Sequence, residues 1–509
     1  MTQFENNCYY LSAHAACVLT TDFIGKLAPV LTADAMAAPF TVLDCFDQSL
    51  RRSGRLLLET GRSFELLRSD GRVLAQPAER RGQFIADFQE GPVKQALADI
   101  SPLRSLLAIG SGDLRRAVLA FLDDDHKTYC RAYLHFLTGT NGTAVVLVTP
   151  QGLLGYDKAL VALNLRIGAC GGTALNIGQL YINLLPDRVA YAAKPDVILK
   201  TDDTAFDAAT AIISAYIPVI RANEAGIIAD HDTEFLHDYR VALRKIRSVL
   251  SLLKGVYPEN QTADLKARFA ALMVPTGRLR DIDVYLLQTP QYHDLLPKLF
   301  HGGLDTMFGM FAAERKAEKA RLARHLRSKK YAQAITDLAG LFDARSMLGR
   351  GPNADLGAAD YGPALIWKRY RKICGFAQRI GPETTDAEMH ALRIHCKKLR
   401  YLMEFFGPLF PMPDFKSLIK PLKHLQENLG LVNDYSVQQA SLQGFLRDGP
   451  EWATGVKLEV AQSVGALIAV LQRRQFEERG KIVESFAQFR NPQTQKAFRD
   501  LFHERRDKK

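Results

Sequence analysis

Two short stretches concentrate the side chains able to do chemistry: "HDYRVALRKIR" at 237–247 and "HALRIHCKKLR" at 390–400. Each sets a histidine ahead of a run of cations while its aliphatic residues stay in step. At about 100° per residue, His237, Arg240, Arg244 and Arg247 share an arc of about 80° on one helix face. Ile246, Leu250 and Leu253 fall on the opposite side and read as the core stripe. His390, Arg393, Lys397 and Arg400 repeat the arrangement, backed by Leu399 and Met403. Lys245 and Lys398 stand off the arc. Solvated helix faces ordinarily mix signs, because like charges three or four residues apart repel by roughly a few tenths of a kcal/mol. Two purely cationic arcs therefore predict an anionic ligand. Arginine offers oxyanions a planar fork of donors and lysine a compact charge, so a mixed arc suits an oxyanion. The histidines either add charge when the ligand raises their pKa or make a structural hydrogen bond.

The two stretches belong to a longer duplication. A constant offset of 153 carries His237 to His390, Arg240 to Arg393, Arg244 to Lys397, Lys245 to Lys398 and Arg247 to Arg400. The same offset then carries Pro258 to Pro411, Leu272 to Leu425, Gly277 to Gly430 and Asp281 to Asp434. A gapless match that keeps histidine, glycine and aspartate predicts two helical halves related by a pseudo-two-fold axis. If that axis brings the arcs together they make one groove, suited to an extended polyanion. Asp281 and Asp434 read as partners within the fold. Further cations extend the surface: Lys416, Lys420 and Lys423 at helical spacing, Arg321 in "ERKAEKARLARHLRSKK", and "WKRYRKI" at 367–373.

The elements that must position these groups follow from texture. From about 40 to 166 the sequence runs in strand-length pieces bounded by turn signals, with helices interposed, which predicts an α+β domain over 1–195. A linker is expected at 196–203. From 204 to 509 the pattern is helical throughout, with halves at about 204–343 and 362–495; one helix is expected over 305–343, two over 415–429 and 433–446, and a last one over 452–489. The glycine-rich "GACGGTALNIG" at 168–178 lacks the spacing of a phosphate loop. Of the net charge of +11, residues 1–200 carry only +1, so an anionic partner belongs to the helical part. Seven scattered cysteines without a CxxC give neither a disulfide framework nor a zinc site. With no apolar run of about 18 residues, a cytoplasmic protein without a membrane partner is expected.

The two basic phrases, with "RANEAG" (221–226), "RLRDIDV" (278–284) and "LKHLQENLGLVNDYSV" (422–437), resemble the CHAD family, the conserved-histidine α-helical domain. The resemblance implies two four-helix bundles around a basic surface that binds inorganic polyphosphate. It makes His237, Arg240, Arg244, Lys245, Arg247, Arg321, His390, Arg393, Lys397, Lys398, Arg400, Lys416, Lys420 and Lys423 the expected binding residues. Such a protein would be targeted to polyphosphate granules. The first part resembles a CYTH domain, a triphosphate-binding β-tunnel, in "VLDCFDQSLRRSG" (42–54) and "DHKTYCRAYLHFL" (125–137). It departs from that family where the metal-holding acids belong: Glu5 has no acidic partner, and Leu134-His135-Phe136 stands where Glu-Leu-Glu is expected. The implied domain is degenerate and non-catalytic, with Arg51, Arg52, Arg68, Lys127 and Arg131 as candidate pocket residues. No catalytic residue, metal or cofactor is expected. The alternatives are a metal-dependent triphosphate or polyphosphate hydrolase in the first domain, and a nucleic-acid binder. The latter is disfavoured because the arcs carry no aromatic residue for base stacking.

Overall fold

The computed structural model describes residues 8–186, 191–376, 380–381, 384–410, 412–448 and 454–503. Glu5 and Pro411 lie outside them. The chain forms two compact units, Met1–Ala192 and Ala193–Lys509.

The first unit is one antiparallel sheet dressed with short helices. Its elements are β1 (Tyr9–Ser12), α1 (Ala13–Thr21), β2 (Ala28–Asp34), β3 (Ala38–Cys45), α2 (Ser49–Arg52), β4 (Arg55–Thr60), β5 (Ser63–Arg68) and β6 (Val73–Pro77). They continue with α3 (Pro92–Ala96), β7 (Leu106–Leu122), β8 (Thr128–Gly139), β9 (Ala144–Gly152), α4 (Asp157–Ala169), β10 (Thr173–Ala174) and α5 (Ile177–Leu184). The strand order is β10-β1-β9-β8-β7-β3-β4-β5-β6, with β2 beside the second half of β7. Period-two alternation separates the faces. Ala117, Leu119 and Phe121 of β7 and Cys130, Ala132 and Leu134 of β8 pack against α1 and α4. Leu114 and Leu137 point the other way, toward α5. The sheet is strongly curled. Arg116 on β7 pairs with Glu65 on β5, although two strands separate them and a flat sheet would hold them roughly 14 Å apart.

The second unit is helical: α6 (Ala205–Ala229), α7 (Thr233–Leu252), α8 (Glu259–Met273), α9 (Gly277–Leu287), α10 (Thr289–Asp294), α11 (His301–Leu326) and α12 (Lys329–Ala344). Then follow α13 (Ala358–Cys374), α14 (Asp386–Phe406), α15 (Met412–Asp448), α16 (Thr454–Phe489) and α17 (Pro492–Phe502). The offset of 153 carries the first residues of α6, α7 and α11 onto those of α13, α14 and α16. The two-fold relation is written in hydrogen bonds between equivalent residues. Ala205 N–H donates to the Leu356 carbonyl at 2.7 Å, and Ala358 N–H donates to the Asp203 carbonyl at 2.8 Å. Thr204 and Gly357 form an antiparallel bridge, and the Tyr285 hydroxyl donates to the Gln438 carbonyl at 3.3 Å. Contacts between a residue and its own copy occur only on a two-fold axis. Each of α6, α7 and α11 packs on its copy. The halves share a core in which Tyr285, Phe308 and Phe311 meet Leu442, Val464 and Leu467.

Three elements differ from the sequence expectation. The helix anticipated over 305–343 is broken at Ser328, whose hydroxyl caps α12 by accepting the Tyr331 N–H. The two helices anticipated over 415–446 are one, α15. A final helix, α17, starts at the Asn491 cap with Pro492 in its first turn. Helix α6 is also long and apolar enough to cross a membrane by composition, contrary to the absence of such a run noted above. Most of it is buried, and Thr210 and Asn223 are among its buried residues.

Candidate functional site

Helix α7 starts at Asp232, whose carboxylate accepts the Glu234 and Phe235 N–H groups. Its copy α14 starts at Thr385, locked in a reciprocal capping box with Glu388. With both starts pinned, the inward stripes of Ile246 and Leu250, and of Leu399 and Met403, are buried, and the cationic arcs face outward. Because α7 packs on α14, the arcs adjoin. Arg244 and its equivalent Lys397 lie in each other's field. Burial, then Arg393 and Arg244, push the Lys397 amine down to about 8. Burial first, then Arg244, also lowers the pKa of Arg240. The Arg244 guanidinium and the Lys397 ammonium have no hydrogen-bond or ion-pair partner among the described residues. The centre of the surface is thus a pair of cations beside the two-fold axis with no direct ion-pair partner among the described residues; the acid whose field reaches Lys397, Asp434, is engaged by Arg393.

Around this pair the other arc residues are held by partners that themselves obey the repeat. His237 Nδ1 accepts from Arg280 Nη2 at 3.0 Å, and His390 Nδ1 meets Asn433 Oδ1 at 2.7 Å; positions 280 and 433 are equivalent. An arginine can only donate, so His237 keeps its neutral-state proton on Nε2, whereas His390 donates through Nδ1 to the amide oxygen. Arg240 donates to Thr276 Oγ1 at 2.6 Å. Its copy Arg393 reaches Asp434 at 3.4 Å, placing that aspartate within the fold as expected. Arg247 lies 3.3 Å from Met273 Sδ, and Arg400 donates to the equivalent Gln426 at 3.2 Å and to Glu404 at 2.8 Å. A cleft of about 500 Å³ between α9 and α15 contains Asp281, Asn433 and Asp434 in its wall and Arg278 and Arg474 among its lining cations.

Residues 211–443, which carry both arcs and both supporting helices, match the family model of the CHAD domain. This segment is a CHAD domain. The chain is similar to the crystal structure of the CHAD domain from the plant Ricinus communis, with 26% identity and a TM-score of 0.48 over 58% of this chain and 95% of that one. It is also similar to PptA from Streptomyces chartreusis, with 16% identity and a TM-score of 0.41 over 56% of this chain and 98% of that one. No curated protein matches it. CHAD domains as a family are associated with polyphosphate binding.

The remaining expected residues of the CHAD domain divide. Lys245 does not face the groove: it is 5% exposed, paired with Glu404 and 4.3 Å from the Tyr401 ring centre. Burial, then Arg400, push its amine down to about 7. Its copy Lys398 is partly exposed and its pKa is lowered by burial and then by Arg369, Lys372 and Lys254. His395, which accepts from Arg369 at 2.8 Å, is pushed down to about 4 by burial and then by Arg369, Lys372 and Lys398. Lys416, Lys420 and Lys423 form an exposed row on α15, with Lys423 3.6 Å from Glu427. Arg321 is turned to Glu318 on its own helix. Sequence reasoning missed Arg280 and Asn433, although both stand 43 residues after their histidine, a signal the repeat itself carried.

In the first unit the concave face of the sheet holds a cavity of about 320 Å³. None of Arg51, Arg52, Arg68, Lys127 or Arg131 lines it. Arg52 pairs with Asp47 at 2.5 Å, Arg68 with Asp70 at 3.4 Å, and Lys127 lies 5.3 Å from the Tyr156 ring centre. The cavity contains one carboxylate among the described residues, Glu65, which is already held by Arg116. A divalent ion that must bridge triphosphate oxygens takes several oxygen ligands, and this wall does not provide them.

Proposed function

We propose that this protein binds inorganic polyphosphate through the basic surface of its CHAD domain, and that this binding docks it on polyphosphate granules. The observation that carries the reading is the juxtaposition of Arg244 and Lys397 beside the pseudo-two-fold axis, two cations with no direct ion-pair partner among the described residues. Like charges placed together lower stability until an anion arrives, so the site is prepared for one. The symmetry favours a particular kind of polyanion. A linear phosphate chain reads the same from either end, and a two-fold surface presents equivalent donors to both directions. A nucleic-acid strand has a polarity, and stacking residues for its bases are missing from the arcs. Among the described residues the N-terminal cavity has one carboxylate, already paired, which supports a binding protein over a metal-dependent hydrolase. Replacing Arg244, Arg247, Lys397 and Arg400 together by Glu should abolish binding of long-chain polyphosphate in a calorimetric titration while far-UV circular dichroism stays unchanged. Polyanion binding rests on the cations that neutralise phosphate charges, so retained affinity in the charge-reversed variant would sink the assignment. Wild-type affinity should fall steeply with salt. A fluorescent fusion carrying the four substitutions should leave the granules; continued granule residence would refute the docking role.

A further inference from the structure

The N-terminal cavity has a chemistry of its own, unrelated to phosphate. Its wall is built by leucines of β4, β5, β7, β8 and β9, with Val73 and Ala75 of the edge strand β6. The hollow opens to solvent and has room for about ten waters at ~30 Å³ each. Its volume falls at the lower end of small-molecule sites, ~300–1,000 Å³, which are mostly apolar with a few convergent polar groups.

Such a group is present. Arg116 and His135 are opposite one another across β7 and β8, and Arg116 pairs with Glu65. Glu65 also accepts from Thr60 Oγ1 at 3.0 Å. Burial and then the Arg116 charge lower the pKa of His135, leaving the imidazole neutral. Among the described residues, no hydrogen-bond partner occupies the His135 ring nitrogens or the other Arg116 N–H groups. The polar end is therefore zwitterionic with no net charge, and it has donors to spare. Because Glu65 already pairs with Arg116, an anionic head gains little net attraction there, whereas a hydroxyl or carbonyl oxygen can accept from the remaining Arg116 N–H groups or from His135 without competing with Glu65.

We propose that the N-terminal unit binds a small neutral amphiphile, with its aliphatic body along the leucine wall and its hydroxyl or carbonyl head at Arg116 and His135. The test is methyl-resolved NMR of the full chain, leucine- and valine-labelled, titrated with 1-octanol, octanoate and tripolyphosphate. The expected result is saturable shifts of the Leu114, Leu137 and Leu147 methyls with octanol, and at least tenfold weaker binding of octanoate and tripolyphosphate. Ala75→Trp, placed on the exposed edge strand where it fills the mouth without entering the packed core, should abolish the octanol shifts while dispersion elsewhere is preserved. Glu65→Gln removes the negative charge and should reverse the preference toward octanoate. Octanol shifts that do not saturate, lie elsewhere or persist in Ala75→Trp would overturn the site. A preference for octanol unchanged in Glu65→Gln would overturn the assignment of the head group.

Discussion

The two halves of the helical unit share one plan and differ where it matters for charge. In the first half the chain tightens between α8 and α9 into a 3-10 turn, Val274–Thr276, because Pro275 has no N–H to continue the helical ladder. That turn presents the Thr276 hydroxyl to Arg240. The second half has Asn428 in the place of Pro275 and runs straight through as α15, so Arg393 turns to Asp434 instead. The off-arc lysines differ more. Lys245 is buried against Glu404, Tyr401 and Phe405, whereas the positions equivalent to those three are Ser248, Ser251 and Leu252. Lys398 thus lacks the matching acid and shares its surroundings with Lys254, Arg369 and Lys372. A duplication preserves backbone geometry by core packing, while its surface charges are free to diverge; here the second half has become the more cationic one.

The comparison can be broken first at the backbone. Asn428→Pro would impose on α15 the interruption that the first half tolerates, and would remove the buried hydrogen bond from Asn428 to Ser485. Stability in urea unfolding should fall by about 3 kcal/mol or more, while Pro275→Ala should change it by less than about 1 kcal/mol. Equal effects would show that the halves tolerate the interruption alike.

A second, smaller effect separates Arg244 from Lys397. With its amine pushed down to about 8, Lys397 loses charge in the free protein as pH rises through that value. A bound polyanion holds the proton on, so binding takes up a proton and affinity should fall above pH 8, by at most about tenfold per unit. A guanidinium does not titrate in this range, so Lys397→Arg should flatten the profile measured by titration between pH 7 and pH 9.5. In the absence of ligand, the same depressed amine makes stability rise with pH between about 8 and the ordinary lysine value, because the unfolded chain binds the proton the folded one has lost.

The smallest effects belong to cations already neutralised. Lys423→Ala and Arg321→Ala remove exposed members of ion pairs with Glu427 and Glu318. Such pairs contribute about 0–1 kcal/mol, and polyphosphate affinity should change by less than about threefold in either variant. A tenfold loss would place that residue in the binding groove.

Much of this was readable from one chain. The offset of 153 predicted the two halves and the equivalence of Arg244 with Lys397, because helix periodicity and a gapless repeat are local properties. The same local logic failed at Ser328 and in α15, where capping and continuity depend on what each segment packs against. In the first unit, His135 was noticed only as the residue standing where an acid was expected. Its pairing with Arg116, and the reach of Arg116 to Glu65, arise from the curl of the sheet. The sequence alone determined which faces are cationic and that they come in two copies. Only the tertiary structure decided that those faces adjoin, that Lys245 is withdrawn from them, and that the N-terminal cavity is apolar. Periodicity assigns a residue to a face, but packing between distant segments sets what that face meets.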